Sequence, residues 1–141
     1  MTSGTGSPAG LGNLSPMARR AFPVVYASNV ERTAQFWERL GFRRFFQLPE
    51  QGTPGYVGLR RDEAELAVVA TRWPSEQYGL DPGHGPRFEM FVYITDVDQL
   101  IQQLRAEGVA ILREPADMSW GERIATIADP DGNPVALANE R

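Results

Sequence analysis

Two stretches of this chain say nearly the same thing, 67 positions apart: Tyr26-Ala27-Ser28-Asn29-Val30-Glu31 and Tyr93-Ile94-Thr95-Asp96-Val97-Asp98. A glycine then follows each at the same distance, Gly41 and Gly108. The apolar residues before each repeat suit a strand. The polar step at Ser28-Asn29 or Thr95-Asp96 suits a helix start, and glycine suits a left-handed stop. A strand, a capped helix and a stop recur in register, so a small α+β unit is duplicated. Such a unit exposes a bare sheet face and must close on its copy.

Reading outward from the repeats, 22–27 is expected as a strand, with a capping box formed by Ser28 and Glu31. Val30, Ala34, Trp37 and Leu40 then share one helical face. Strands are expected over 42–48, 56–61 and 64–70, the last two joined at Asp62-Glu63. The stretch 72–86, with three prolines and three glycines, is expected as the linker. The second half repeats the order. A strand over 87–94 leads to a helix over 96–107, whose Val97, Leu100, Ile101 and Leu104 form an amphipathic stripe. A strand over 109–113, a loop over 115–121, a strand over 122–128, a tight turn at Asp129–Asn133 and a strand over 134–138 follow. The expected fold is α+β: two β-α-β-β-β repeats, about 22–71 and 87–139, forming a curved, cupped mixed sheet with helices outside.

At 141 residues, such a chain buries enough surface to need neither disulfide nor metal for stability. It has no cysteine, which removes thiol catalysis and thiolate metal sites. The net charge of −4 and pI of about 5.0 argue against a nucleic-acid partner. No apolar run approaches the roughly 20 residues that span a bilayer, and a cytoplasmic location is expected. The Gly-, Ser-, Pro- and Ala-rich residues 1–21 offer too little apolar surface to order themselves and are expected as a disordered tail before a single domain, 22–141.

Four motifs carry a family resemblance: Ser28-Asn29-Val30-Glu31-Arg32 with Phe36-Trp37, Thr95-Asp96-Val97-Asp98, the turn Asp129–Asn133, and Ser119-Trp120-Gly121-Glu122-Arg123 before it. With these the chain resembles the vicinal oxygen chelate superfamily, which includes glyoxalases, extradiol dioxygenases, fosfomycin-modifying enzymes and bleomycin resistance proteins. Enzymes of that superfamily bind a divalent metal through His, Gln or Glu on the cupped face. The resemblance places those positions at Phe22, Glu89, Ala136 and Ala67, with Glu65 admitted by a shift of two in register. One sure carboxylate among four slots is too few for a catalytic metal. No metal and no other cofactor is therefore expected.

Strand alternation puts Phe22, Val24 and Tyr26 on one face, and Glu89, Phe91 and Tyr93 on another, opposite to Met90, Val92 and Ile94. The cup is then aromatic with one acid, suited to stacking a planar ligand. The resemblance implies a metal-free, bleomycin-resistance-like protein that sequesters an aromatic natural product or antibiotic, with cups completed across a homodimer. The candidate ligand-binding residues are Phe22, Tyr26, Glu89, Phe91, Tyr93 and Trp120, and none is assigned a catalytic role.

Bland alternatives stand beside several of these. Trp120 is either a stacking wall or a plug at the end of the sheet. Glu89 faces either a ligand cation or an internal arginine such as Arg123. Tyr26 and Tyr93 either face one another or are ordinary half-buried strand tyrosines. Trp37 reads as core, Trp73 as lid or packing anchor, and His84 as a solvated loop residue. Two enzymatic readings compete. One is a metal-dependent lyase, isomerase or dioxygenase using Glu89 with Glu65 or His84. The other is a metal-free enzyme in which buried Glu89 is the acid or base.

Overall fold

The computed structural model describes residues 20–140. The stretch expected as a tail lies, up to residue 19, outside the described residues. The first unit comprises β1 (Val24–Ala27), α1 (Val30–Arg39), β2 (Arg43–Leu48), β3 (Tyr56–Arg61) and β4 (Ala64–Ala70). After a short helix α2 (Trp73–Tyr78), the second comprises β5 (Met90–Ile94), α3 (Val97–Ala106), β6 (Ile111–Asp117), β7 (Arg123–Ala128) and β8 (Pro134–Asn139).

The strand orders are β1-β4-β3-β2 and β5-β8-β7-β6. In each sheet the first and last strands run parallel and the other pairs antiparallel. The duplication seen in the residues is thus a duplication of topology. The registers agree too: Val24 pairs with Ala67 and, 67 residues on from Val24, Phe91 pairs with Ala136.

Burial follows the alternation. Val25, Ala27, Val57, Leu59, Leu66 and Val68 face α1, and Val92, Ile94, Ala125, Ile127, Val135 and Leu137 face α3. Both sets belong to one hydrophobic core, together with Val30, Ala34 and Trp37 of α1 and Val97, Ile101 and Leu104 of α3. Trp37 has no exposed surface, as its helical stripe required. Between the halves, Arg87 Nη2 donates to the Tyr26 carbonyl at 3.0 Å and Arg61 Nη2 to the Tyr93 carbonyl at 2.6 Å. These arginines occupy carbonyls of the two edge strands, β1 and β5, that no ladder partner reaches on that side.

Four local expectations need correction. Ser28 and Glu31 do not form a capping box. Asn29 is the cap, accepting from the Arg32 N–H at 2.9 Å, while the Ser28 N–H donates to the Asp131 carboxylate. Glu31 turns instead to Arg44 and Gln35. The linker contains α2, started by Pro74 in its first turn, where the missing N–H is harmless, and closed by Gly79 at φ 74°. Strand β6 runs through Pro115, expected in a loop, because β6 is an edge strand with a shifted register on either side of Arg113. Strands β1 and β5 start later than expected, and ahead of β5 the Arg87 N–H donates to the Asn133 side chain and not to a neighbouring strand. The stops at Gly41 and Gly108 do adopt left-handed φ, 93° and 87°.

Candidate functional site

The faces turned away from the helices carry the chemistry. On the second sheet, cross-strand register places Phe91 and Tyr93 of β5 beside Ala136 and Ala138 of β8, then Thr126 and Ile124 of β7. Small alanines form the floor, with Ile124 and Met118 against them. Phe91 and Tyr93 rise from one edge, 48% and 42% exposed, with ring centroids 5.2 Å apart. On the loop before β7, Trp120 is 61% exposed. Its indole N–H donates to Glu122 Oε1 at 2.8 Å, and the other oxygen of the same carboxylate accepts from the Tyr93 hydroxyl. One carboxylate therefore orients two aromatic rings that stand largely in solvent.

Glu122 was not among the expected site residues. It stands next to Arg123 at the start of β7, and alternation on a strand whose start is uncertain by one residue does not tell which of the two faces the crevice. Arg123 turns outward, bidentate to Asp98 at 2.7 and 2.8 Å and bonded to Asp117 at 3.1 Å. The Arg123 guanidinium holds the Asp98 carboxyl below its usual range. It is thus not a partner for Glu89.

The open face of the first sheet is built differently. Gly58 of β3 pairs with Ala67 of β4, and the Phe45 ring lies over it: a Cβ added to Gly58 would meet Phe45 Cε1 and Cζ at 3.1 Å. A shift of register between Arg44 and Phe46 lets both Phe45 and Phe46 take part on this face. Phe46 meets Tyr56 edge to face at 5.8 Å, and Tyr56 in turn meets Trp73 at 6.4 Å. Glu65 pairs in register with Arg60, 3.8 Å away, and forms a bidentate pair with Arg20. The Arg20 hydrogen bonds hold its carboxyl below the usual range.

The six candidate residues fall into three groups. Phe91, Tyr93 and Trp120 form one wall on the second sheet. Tyr26 and Glu89 line a cleft of about 210 Å³ where the two halves meet, with Val24, Arg87 and Met90. Phe22 sits apart on the first face, its ring 5.3 Å from the Arg20 guanidinium. Glu89 is exposed and lies just before β5, so this chain does not supply the burial that an acid–base role for it assumed. His84 lines a separate linker cleft with Asp81, Arg87 and Asp131. Trp73 lines another, of about 640 Å³, with Val30, Leu48 and Tyr56, and is half-buried there.

The positions that would hold a divalent metal do not suit one. Ala67 and Ala136 are confirmed by register as equivalent slots and carry no donor. Glu65 is taken by two arginines. Among the described residues, no three or more His, Asp or Glu side chains converge to hold an ion, so Glu65, Glu89 and His84 do not form one group.

Residues 19–137 match the Glyoxalase/Bleomycin resistance protein/Dioxygenase superfamily. The chain belongs to this superfamily. Among curated members, it is 27% identical to a bleomycin resistance protein of Klebsiella pneumoniae, over 86% of this chain and 92% of that one. It is 29% identical to a lactoylglutathione lyase of Arabidopsis thaliana over 81% of its own length, but spans only 42% of that plant enzyme. Among solved structures, a bleomycin-binding protein complexed with bleomycin superposes with a TM-score of 0.55 at 26% identity, covering 86% of this chain and 98% of the other. The superfamily cup accounts for the paired βαβββ topology. Among the described residues, no helix is long and apolar enough to cross a membrane.

Proposed function

We propose that this superfamily member binds a planar aromatic small molecule on its cupped faces and sequesters it without a metal and without turning it over. The observation that carries this reading is the Tyr93–Glu122–Trp120 clamp beside Phe91 over a floor of alanines. Exposed aromatic rings cost little further ordering on binding when their polar handles are already held. Ala136 and Ala138 themselves offer no side-chain donor or acceptor to polarise a substrate carbonyl, and their small size leaves room for a ring.

The similarity to the Klebsiella pneumoniae bleomycin resistance protein, and to a structure with bleomycin bound, supports a ligand of the same broad character. A homodimer fits the exposed apolar residues on both open faces, among them Phe45, Phe46, Leu48, Phe91 and Leu112, which a second copy would cover. A cytoplasmic, antibiotic-protective role without nucleic-acid or membrane partners belongs to the same proposal.

Fluorescence titration with bleomycin tests it. Trp37 is buried and Trp73 half-buried, so ligand quenching should report chiefly on Trp120 and vanish in Trp120→Phe. Elemental analysis after exposure to Zn²⁺, Ni²⁺, Mn²⁺ and Fe²⁺ completes the test. A stoichiometric, chelator-sensitive metal would overturn the metal-free reading, and release of a modified product would overturn sequestration.

A further inference from the structure

Arg20 lies in coil ahead of β1, with its side chain in the first cup. Its Nε donates to Glu65 Oε1 at 3.0 Å and its Nη2 to Oε2, a fork matching a carboxylate. The same guanidinium lies 5.3 Å from the Phe22 ring centroid and 5.9 Å from that of Phe45, both within cation–π range. The Glu65 side chain is only 9% exposed, so its charge is spent inside the cup and not on solvent. Gly58 makes room beneath Phe45, and Arg60 stacks 3.7 Å from that ring while standing 3.8 Å from Glu65.

We propose that Phe22, Phe45 and Glu65 form a subsite for a planar guanidinium or amidinium group, and that Arg20 is its built-in occupant. The proposal rests on reading the cups as ligand sites and adds the class of group that the first cup takes. Two observations separate it from an ordinary surface ion pair. The cation bound to this anion lies within about 6 Å of two ring centroids, those of Phe22 and Phe45, so a flat cation there meets a carboxylate and two rings together. The cation sits in coil with no ladder partner, so its release breaks no strand pairing.

An incoming guanidinium on a ligand exchanges like for like: the carboxylate keeps a fork donor and the rings keep a cation. Arg60 stays beside Glu65 during the exchange and orients it. The second cup has Phe91, Tyr93 and an alanine floor, and its Glu122 carboxylate is already held by Tyr93 and Trp120, so it would then receive an uncharged ring. A ligand with an aromatic body and a terminal amidine-like cation satisfies both.

The test uses benzamidine, a small ring bearing an amidinium, with affinity read by calorimetry on the full chain. A site that is nine-tenths occupied by its own arginine lowers apparent affinity about 10-fold. Arg20→Ala should therefore bind benzamidine roughly 10-fold more tightly than the unaltered chain, and adding Glu65→Gln should remove that gain. In the unaltered chain, the Arg20 Nε–H resonance should move toward the position of free arginine as benzamidine saturates. Equal affinity in Arg20→Ala and the unaltered chain, or saturation that leaves the Arg20 resonance in place, would overturn the subsite. Quenching of Trp120 by an uncharged planar aromatic is measured alongside. If that survives while the subsite fails, aromatic sequestration stands and only the cationic subsite is lost. If it fails while the benzamidine response holds, the reverse is true.

Discussion

Thr33 shows what a single residue contributes when its surroundings are wrong for it. It is fully buried on α1, and its hydroxyl oxygen has no hydrogen-bond partner. A buried, unsatisfied hydroxyl carries a desolvation penalty that an isosteric methyl lacks. Thr33→Val should stabilise the chain by about 1 kcal/mol, raising the melting temperature by roughly 3 °C. A melting curve unchanged or lower would mean that the hydroxyl is satisfied in solution. Glu122 sits at the other extreme, since both carboxylate oxygens are engaged by exposed rings. Glu122→Gln keeps an oxygen for one ring and should weaken aromatic binding about 10-fold, while Glu122→Ala should weaken it further, with little change in stability because the site is at the surface. Titrating both variants by Trp120 fluorescence checks the order. Trp120 was legible in the sequence because an indole in a polar loop has little core to enter. Glu122 was not, because one residue of uncertainty in a strand start exchanges it for Arg123. Arg20 was hidden in a stretch whose composition argues for no structure, and its partner is 45 residues away.

At the scale of elements, α1 and α3 are copies that start in the same way. Asn29 accepts from Arg32 N–H at 2.9 Å, and Asp96 accepts from Gln99 N–H at 3.1 Å, both from extended backbone. Asn29→Ala and Asp96→Ala should each cost about 1 kcal/mol, and the double variant about 2, because the caps share no partner. Urea unfolding of the three variants measures this, and a double variant far from the sum would show the helices to be coupled. The repeat made these helices readable, whereas the particular cap was not: Ser28 has the right spacing to Glu31, yet Asp131 from the other half takes its N–H. Long-range bonds of that kind leave no trace in local pattern. The irregularity of β2 was equally silent, although it brings Phe45 over Gly58 and so builds the first cup. Gly58→Ala would bring a methyl within 3.1 Å of the Phe45 ring, and since β3 is held by pairing on both sides it is the ring that must move. The expected result is loss of the Phe45 position and of benzamidine binding, with α1 intact by circular dichroism.

Over the whole molecule, charge is arranged as pairs between arginines and carboxylates, and this sets the response to acid. Glu31, Glu65, Asp98, Glu107 and Glu114 all have carboxyls held below their ordinary values, in each case chiefly by a hydrogen-bonded arginine. A carboxyl that releases its proton more readily when folded stabilises the fold wherever it is ionised. That contribution is complete above the unfolded-state values, 4.5 for glutamate and 3.8 for aspartate, and is lost as pH falls through the lower folded values. The melting temperature should therefore be level from about pH 5 to 8 and decline below the ordinary carboxylate range. Most of these pairs stand in solvent, where each is worth little and salt screens it, so the decline should be gradual and should shrink at high ionic strength. Arg39 and Glu107 differ from the rest in joining α1 to the end of α3, with bonds of 2.8 and 2.7 Å across the two copies. Glu107→Gln should remove part of the acid dependence without altering the neutral plateau by more than a few degrees. Melting curves recorded across pH 3 to 8 at two salt concentrations decide the matter. A stability that rises on acidification would contradict the pairing itself, because only carboxyls with raised folded values gain from protonation.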